Sequence, residues 1–172
     1  MFEVAENLDF EIVLSGTYWG NRNPEFEIII DDTTIYSGRI TAYPSKKGLI
    51  LDEYMSAGRE ESTYQTIKFT HALEAGEHAL HIRFKNKQPG DTCEFVDGHW
   101  RKDVLLNIEQ IIVDGVKLQH LLFTESIYTF DQPQIINGQE VKCLHECVNM
   151  GFNGVYTIKF SNPFYIWLLE RV

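Results

Sequence analysis

Residues 76–87 read GEHALHIRFKNK, and their alternation sets the fold class. Leu80, Ile82 and Phe84 fall on one face, while His81, Arg83 and Lys85 fall on the other. A period of two residues is what a half-buried strand demands, because successive side chains leave opposite sides of the pleat. The preceding EAGE (74–77) supplies a turn into it.

The same period recurs outward from this stretch. FEIVLSG (10–16) sets Phe10, Ile12 and Leu14 against Glu11 and Val13. PEFEIIIDD (24–32) points Phe26, Ile28 and Ile30 inward before Asp31-Asp32 begin a turn, and TTIYSGRITAY (33–43) continues with Ile35 and Ile40. In TYQTIKFTHAL (63–73), Tyr64, Thr66 and Lys68 oppose Ile67 and Phe69. DVLLNIEQIIVDG (103–115) is apolar on both faces, Leu106, Ile108 and Ile112 against Leu105, Ile111 and Val113, as in a strand covered on both sides. Residues 44–62 read as a long loop with a short strand at LIL (49–51), and VKLQHLLF (116–123) as a short strand or helical turn. Residues 126–151 read as an extended insertion with an Asn137-Gly138 turn. About ten strands with long loops and almost no helical period predict an all-β, jelly-roll-type antiparallel β-sandwich. No repeat or linker divides the chain, so one domain over 1–172 is expected.

The last strand, with Tyr156, Ile158 and Phe160, meets Pro163 and then the apolar tail FYIWLLERV (164–172). Left bare, that tail would expose several hundred Å2 of apolar surface, more than a monomer usually leaves uncovered. It is expected to pack as a final strand of the core or to sit in an interface.

Composition narrows the function. With 25 acidic and 15 basic side chains among 172 residues, the formal net charge is −10, which repels a phosphate backbone and argues against nucleic-acid binding. The basic runs, SKK (45–47) and WRK (100–102), are short enough for solvated loops. No apolar run approaches the ~20 residues of a membrane helix, so no membrane insertion is expected. The N-terminus lacks a basic segment followed by an apolar one, and the 3 cysteines are odd in number, so synthesis in a reducing cytoplasm is expected.

Chemistry-bearing residues are few. Asp91, Asp97 and Asp103, with Asn86 or Asn107, are candidate oxygen ligands for calcium; PGD and VDG are better explained as turns in a solvated acidic loop. Cys143, His145 and Cys147, with Cys93 or His120, form a candidate zinc set, although C-x-H-x-C lacks the spacing of a zinc knuckle and lone cysteines usually act as small buried hydrophobes. Tyr18, Trp19 and Trp100 lie in loop-like contexts where exposed rings stack on sugars or partners, or else cap the core; Phe164, Tyr165 and Trp167 are candidate contacts on the tail. There is no G-x-S-x-G, no H-E-x-x-H and no Gly-rich phosphate loop, so no catalytic residues are assigned and no enzyme is expected.

Two resemblances rest on these segments. SGTYWGNRNPEFEIIIDD (15–32), GEHALHIRFKNK and DVLLNIEQIIVDG, in that order, resemble the small calcium-dependent, xylan-binding class of carbohydrate-binding modules. That resemblance implies a jelly-roll sandwich in which carboxylates at loop ends hold calcium and the calcium meets sugar hydroxyls. The chain departs from it at Lys87, where the family has Asp, and at Leu105, where it has Asn. An ammonium in place of a ligand carboxylate removes oxygens and adds repulsion, so the metal site is weakened more than the fold.

The second resemblance takes in 96–123 and 145–172, including the Cys-Val-Asn-x-Gly element, which are similar to small virion-associated proteins of tailed phages infecting marine cyanobacteria. It implies a non-enzymatic structural component located in the virion, docked on capsid or tail proteins through the apolar tail or loop aromatics. The alternative expectation is a glycan-binding module, with calcium as its candidate ion, recognising host cell-surface polysaccharide.

Overall fold

The computed structural model of the chain describes residues 4–17, 22–41, 63–91, 94–96 and 99–172, with backbone alone at 94–96 and 99–102. The strand expected at 49–51 lies outside them. The described strands are β1 (Glu6–Thr17), β2 (Glu25–Ile30), β3 (Thr33–Arg39), β4 (Gln65–Leu73), β5 (Gly76–Phe84), β6 (Glu94–Val96), β7 (His99–Lys102) and β8 (Leu105–Val113). They continue with β9 (Val116–Lys117), β10 (Ser126–Ile136), β11 (Gln139–His145), β12 (Asn149–Met150) and β13 (Gly154–Asn162). Two short helices, α1 (Leu121–Thr124) and α2 (Phe164–Leu169), complete the set.

The strands form two antiparallel sheets. One runs β12-β8-β1-β4, with β9 also on β8, and the other β11-β10-β13-β5-β2-β3; β6 and β7 pair separately. The inward residues of both sheets meet in one hydrophobic cluster, as the alternation predicts: Phe10, Ile12 and Leu14 from β1, Phe26 and Ile28 from β2, Ile82 and Phe84 from β5, Tyr156 and Ile158 from β13. Each is at most 1% exposed, and a large apolar side chain taken fully out of water contributes roughly 1.5–3 kcal/mol. This is the expected jelly-roll-type β-sandwich.

Three details depart from expectation. In β8 the register against β1 shifts between Val13 and Leu14, so Glu109 is an extra residue. Leu106 and Ile108 face the core before this bulge and Ile111 and Val113 after it, which leaves Ile112 half-buried on the outer face. A bulge reverses the parity of every later side chain, and a strictly alternating reading cannot foresee that. Second, 126–151 is no insertion but mainly the β10–β11 edge hairpin, with Asn137 (φ 51°) and Gly138 (φ 77°) in its turn. Both φ values lie in the left-handed region that an Asn-Gly hairpin turn requires. Third, the apolar tail is a helix rather than a strand. Pro163 ends β13, and α2 then buries Phe164 and Trp167, 2% and 3% exposed, three residues apart on one face. Among the described residues no helix is long and apolar enough to cross a membrane.

Candidate ligand-binding site

At one end of the sandwich, the connection leaving β5, the start of β8 and the turn before β13 converge. Asn153 pins them together: its side-chain carbonyl accepts from Lys87 N at 2.8 Å, and its amide donates to Lys87 O at 2.8 Å. With its backbone held at both polar groups, Lys87 sends its ammonium inward. The side chain is only 10% exposed, and Nζ donates to Asp103 Oδ1 and to Gly151 O, each at 2.5 Å. The ammonium also lies 5.7 Å from the centre of the Phe152 ring, within cation–π range.

Asp103 is held as firmly. Its Oδ1 also accepts from Val104 N at 2.8 Å, and its carbonyl accepts from Thr17 Oγ1 at 2.8 Å, tying the start of β8 to the end of β1. Burial pushes the Asp103 carboxyl above the usual carboxylate range, opposed by the Lys87 hydrogen bond and charge and reinforced by the nearby charge of Asp91. Asp91 has a cation of its own. Arg22 Nε lies 2.6 Å from Asp91 Oδ2, and the same oxygen accepts from Gln88 N at 2.9 Å across the Pro89–Asp91 turn.

These pairings test whether the described residues fit calcium, and among those residues they do not. Calcium needs six to eight oxygens. Of the expected ligands, Asp91 and Asp103 each carry a cation already, while Asp97 lies outside the described residues. Asn86 is spent on backbone, accepting from Glu25 N at 2.8 Å and donating to Asn23 O at 2.7 Å. Asn107 is buried within β8, where its amide donates to Ser15 Oγ at 3.3 Å and its Oδ1 has no hydrogen-bond partner, but no cluster of other ligating side chains meets it among the described residues. Among the described residues no three metal-ligating side chains converge.

Among the described residues the zinc set also stays apart, and Cys93 lies outside them. β11 ends at His145, and Glu146, with φ 56°, breaks the alternation that would have carried Cys147 onto the same face. Cys143 and Cys147 are free, and Cys147 instead donates to Asn149 O at 3.2 Å, its thiol pushed up by burial.

The ring candidates divide three ways. Tyr18 and Trp19 lie outside the described residues, and Trp100 falls in β7, where backbone alone is described. Phe164 and Trp167 are core residues and offer no face to a ligand. Tyr165 is 51% exposed beside Ile166 and Leu169 on the outer side of α2.

Beside the Lys87–Asp103 pair opens a cavity of about 540 Å3, lined among others by Asp131, Gln132, Gln134, Phe152 and Asn153. The middle of β10 shapes its far wall. Thr129 pairs with Cys143 but Gln134 with Val141, so Asp131, Gln132 and Pro133 leave the ladder, and Asp131 N reaches Asn153 O at 3.0 Å instead. This irregularity re-aims polar side chains from a sheet edge toward the cavity, a common use of bulges. Through Asp131 the cavity meets a shallower groove of about 640 Å3 over the outer face of the larger sheet, with Asp31, His81, Arg83, Thr129 and Thr157 among its lining. Arg83 pairs with Asp131 at 3.1 Å, and His81 Nδ1 lies 2.8 Å from Thr157 Oγ1.

Sequence reading missed this wall, although FDQPQ (130–134) carried a signal: a proline inside an apparent strand marks an edge or a bulge. Gly151, Phe152 and Asn153 gave no comparable cue.

No protein-family model matches the sequence, and a search of curated proteins finds no match. Among solved structures the chain is similar to vCBM60, a calcium-dependent carbohydrate-binding module solved in its selenomethionine form. The TM-score is 0.52 at 14% identity, over 88% of this chain and 89% of that one. A second structure, vCBM60 in complex with galactobiose, aligns at TM-score 0.48 and 13% identity, over 87% of this chain and 96% of that one. The likeness is one of fold, and these comparisons give no support to the phage resemblance.

Proposed function

We propose that the chain is a non-catalytic carbohydrate-binding module whose ligand lies in the cavity beside Lys87 and Asp103 and continues over Asp131 onto the outer face of the larger sheet. The observation that carries this reading is the cavity's lining: an aromatic ring, Phe152, among the carboxylate and amide groups of Asp131, Gln132 and Gln134. Sugars present apolar C–H faces bounded by hydroxyls, and a site with one ring and several fixed donors and acceptors matches both. The fold likeness to a carbohydrate-binding module supports the same reading.

Charge selects among polysaccharides. Asp31, Asp32 and Asp131 line the groove and the chain carries −10 overall, so a neutral polysaccharide such as xylan is favoured over an acidic one. A docking role on other virion proteins, capsid or tail, is the second reading, favoured by Tyr165, Ile166 and Leu169 standing exposed on α2. Affinity electrophoresis on a panel of neutral polysaccharides tests both. Retardation by at least one of them is expected. Asp131→Ala and Gln132→Ala, both at exposed positions, are each expected to weaken binding roughly tenfold, the loss of a desolvated hydrogen bond. Blank results across the panel, with the chain present in purified virions, would replace this reading by the second.

A further inference from the structure

We infer that the Lys87 ammonium is a built-in cation that does the structural work of a bound metal ion at this end of the sandwich, so that the site keeps its shape without any divalent ion. Three observations carry the inference. The ammonium sits where oxygens from two separate segments converge: Asp103 Oδ1 at the start of β8 and Gly151 O in the turn before β13, each at 2.5 Å. Such convergence needs a donor between the oxygens, and for a carboxylate largely out of water a positive charge is the strongest, because the oxygens repel one another when nothing lies between them.

Among the described residues the charges of Asp91 and Asp103 are also balanced without an ion. Asp91 and Asp103 are close enough for their charges to interact, and Arg22 and Lys87 supply one positive charge to each. Two tethered cations thus equal the charge of one divalent ion, and unlike an ion they cannot dissociate. Finally, the lysine is built in: Asn153 holds both polar groups of its backbone, and its side chain is 10% exposed. A solvent-facing lysine that happened to touch an acid would need neither.

The consequence for ligand binding rests on the carbohydrate-binding reading; the structural role does not. Under that reading the chain binds its polysaccharide in the presence of a chelator.

Thermal melting in chelator and in millimolar calcium tests the structural role without any sugar. The wild-type chain is expected to melt at the same temperature in both. Lys87→Met, which leaves Asp103 buried and uncompensated, is expected to melt roughly 10 °C lower in both conditions. A folded Lys87→Asp chain, which trades the ammonium for oxygens, is expected to melt low in chelator and to regain stability as calcium is added, by ordinary linkage. Calcium raising the wild-type melt, Lys87→Met melting like wild type, or a folded Lys87→Asp chain indifferent to calcium would each overturn the inference. Should Lys87→Asp not fold, wild type and Lys87→Met decide. Absence of polysaccharide binding alongside the expected melts would count against the proposed function alone.

Discussion

At His78 one imidazole serves two acceptors: Nδ1 lies 2.7 Å from Asp31 Oδ2 and Nε2 lies 2.8 Å from Glu74 O. A carbonyl only accepts, so Nε2 carries a proton, and a carboxylate favours a second proton on Nδ1. Burial alone would lower the pKa of His78; the hydrogen bonds to Asp31 and Glu74 outweigh it and raise the value above 6.5. Burial would likewise raise Asp31, but its bonds from His78 and from Ala79 N at 2.9 Å lower it. The raised histidine binds its proton more tightly folded than unfolded. Its contribution is whole below the unfolded value of about 6.5 and is lost as pH rises through the folded value. Urea midpoints of wild type should therefore fall on passing from slightly acid to alkaline pH, and His78→Gln should flatten that fall. His81, lowered chiefly by burial, acts with the opposite sign on the acid side, so the difference between wild type and His78→Gln is the quantity to read. Equal pH profiles for the two chains would refute the assignment.

Among the elements, β10 and β13 leave no room for a side chain at Gly154, where β13 begins and pairs with Phe130. A Cβ placed on Gly154 would lie 2.3 Å from Thr129 O and 3.0 Å from Phe130 Cα, both backbone atoms that cannot swing aside. Gly154→Ala must therefore push β10 off β13, at a cost of about 1–3 kcal/mol in chemical denaturation, the usual range for overpacking. The displaced segment leads directly into Asp131, Gln132 and Gln134, so the same substitution should weaken polysaccharide binding although residue 154 touches no ligand. Unchanged stability would show that the two strands have slack. The bulge in β8 follows the same logic: one extra residue at Glu109 lets Leu106 and Ile108 share the core with Ile111 and Val113.

Across the whole molecule, α2 closes the core at the end of β13. The Trp167 ring stacks on Phe164 at 5.6 Å and meets Phe160 edge-on at 6.4 Å. The Arg171 guanidinium lies over the Trp167 ring at 4.5 Å while reaching Glu125 near α1 at 3.3 Å. Trp167→Ala should destabilise the chain by about 3–5 kcal/mol, since it leaves a ring-sized cavity, read as a shift of the urea midpoint. Tyr165→Ala, on the exposed side of α2, should leave that midpoint unchanged. The Lys87 cage and the cavity beside it lie where loops meet at one end of the sandwich, and the groove continues from there over the outer face of the larger sheet.

Alternation in FEIVLSG, PEFEIIIDD, GEHALHIRF and GVYTIKF was enough to determine the sheets, because the side-chain period of a strand is local and each apolar set has one face to bury. The Asn137-Gly138 turn was legible for the same reason: its left-handed φ values are a property of two adjacent residues. The bulges at Glu109 and at 131–133 were not legible, since a bulge depends on the register of the partner strand. Nor does FYIWLL announce a helix, because a short apolar run suits either state until Pro163 and the space beside β13 choose one. The site belongs wholly to the tertiary structure. Lys87 stood out in the sequence as the wrong residue for a calcium ligand, but its partners lie 16 and 64 positions away. Only folding brings a carboxylate and a carbonyl so far apart in the chain around one ammonium, and the electrostatics of that convergence depend on distance and burial, which sequence order does not contain.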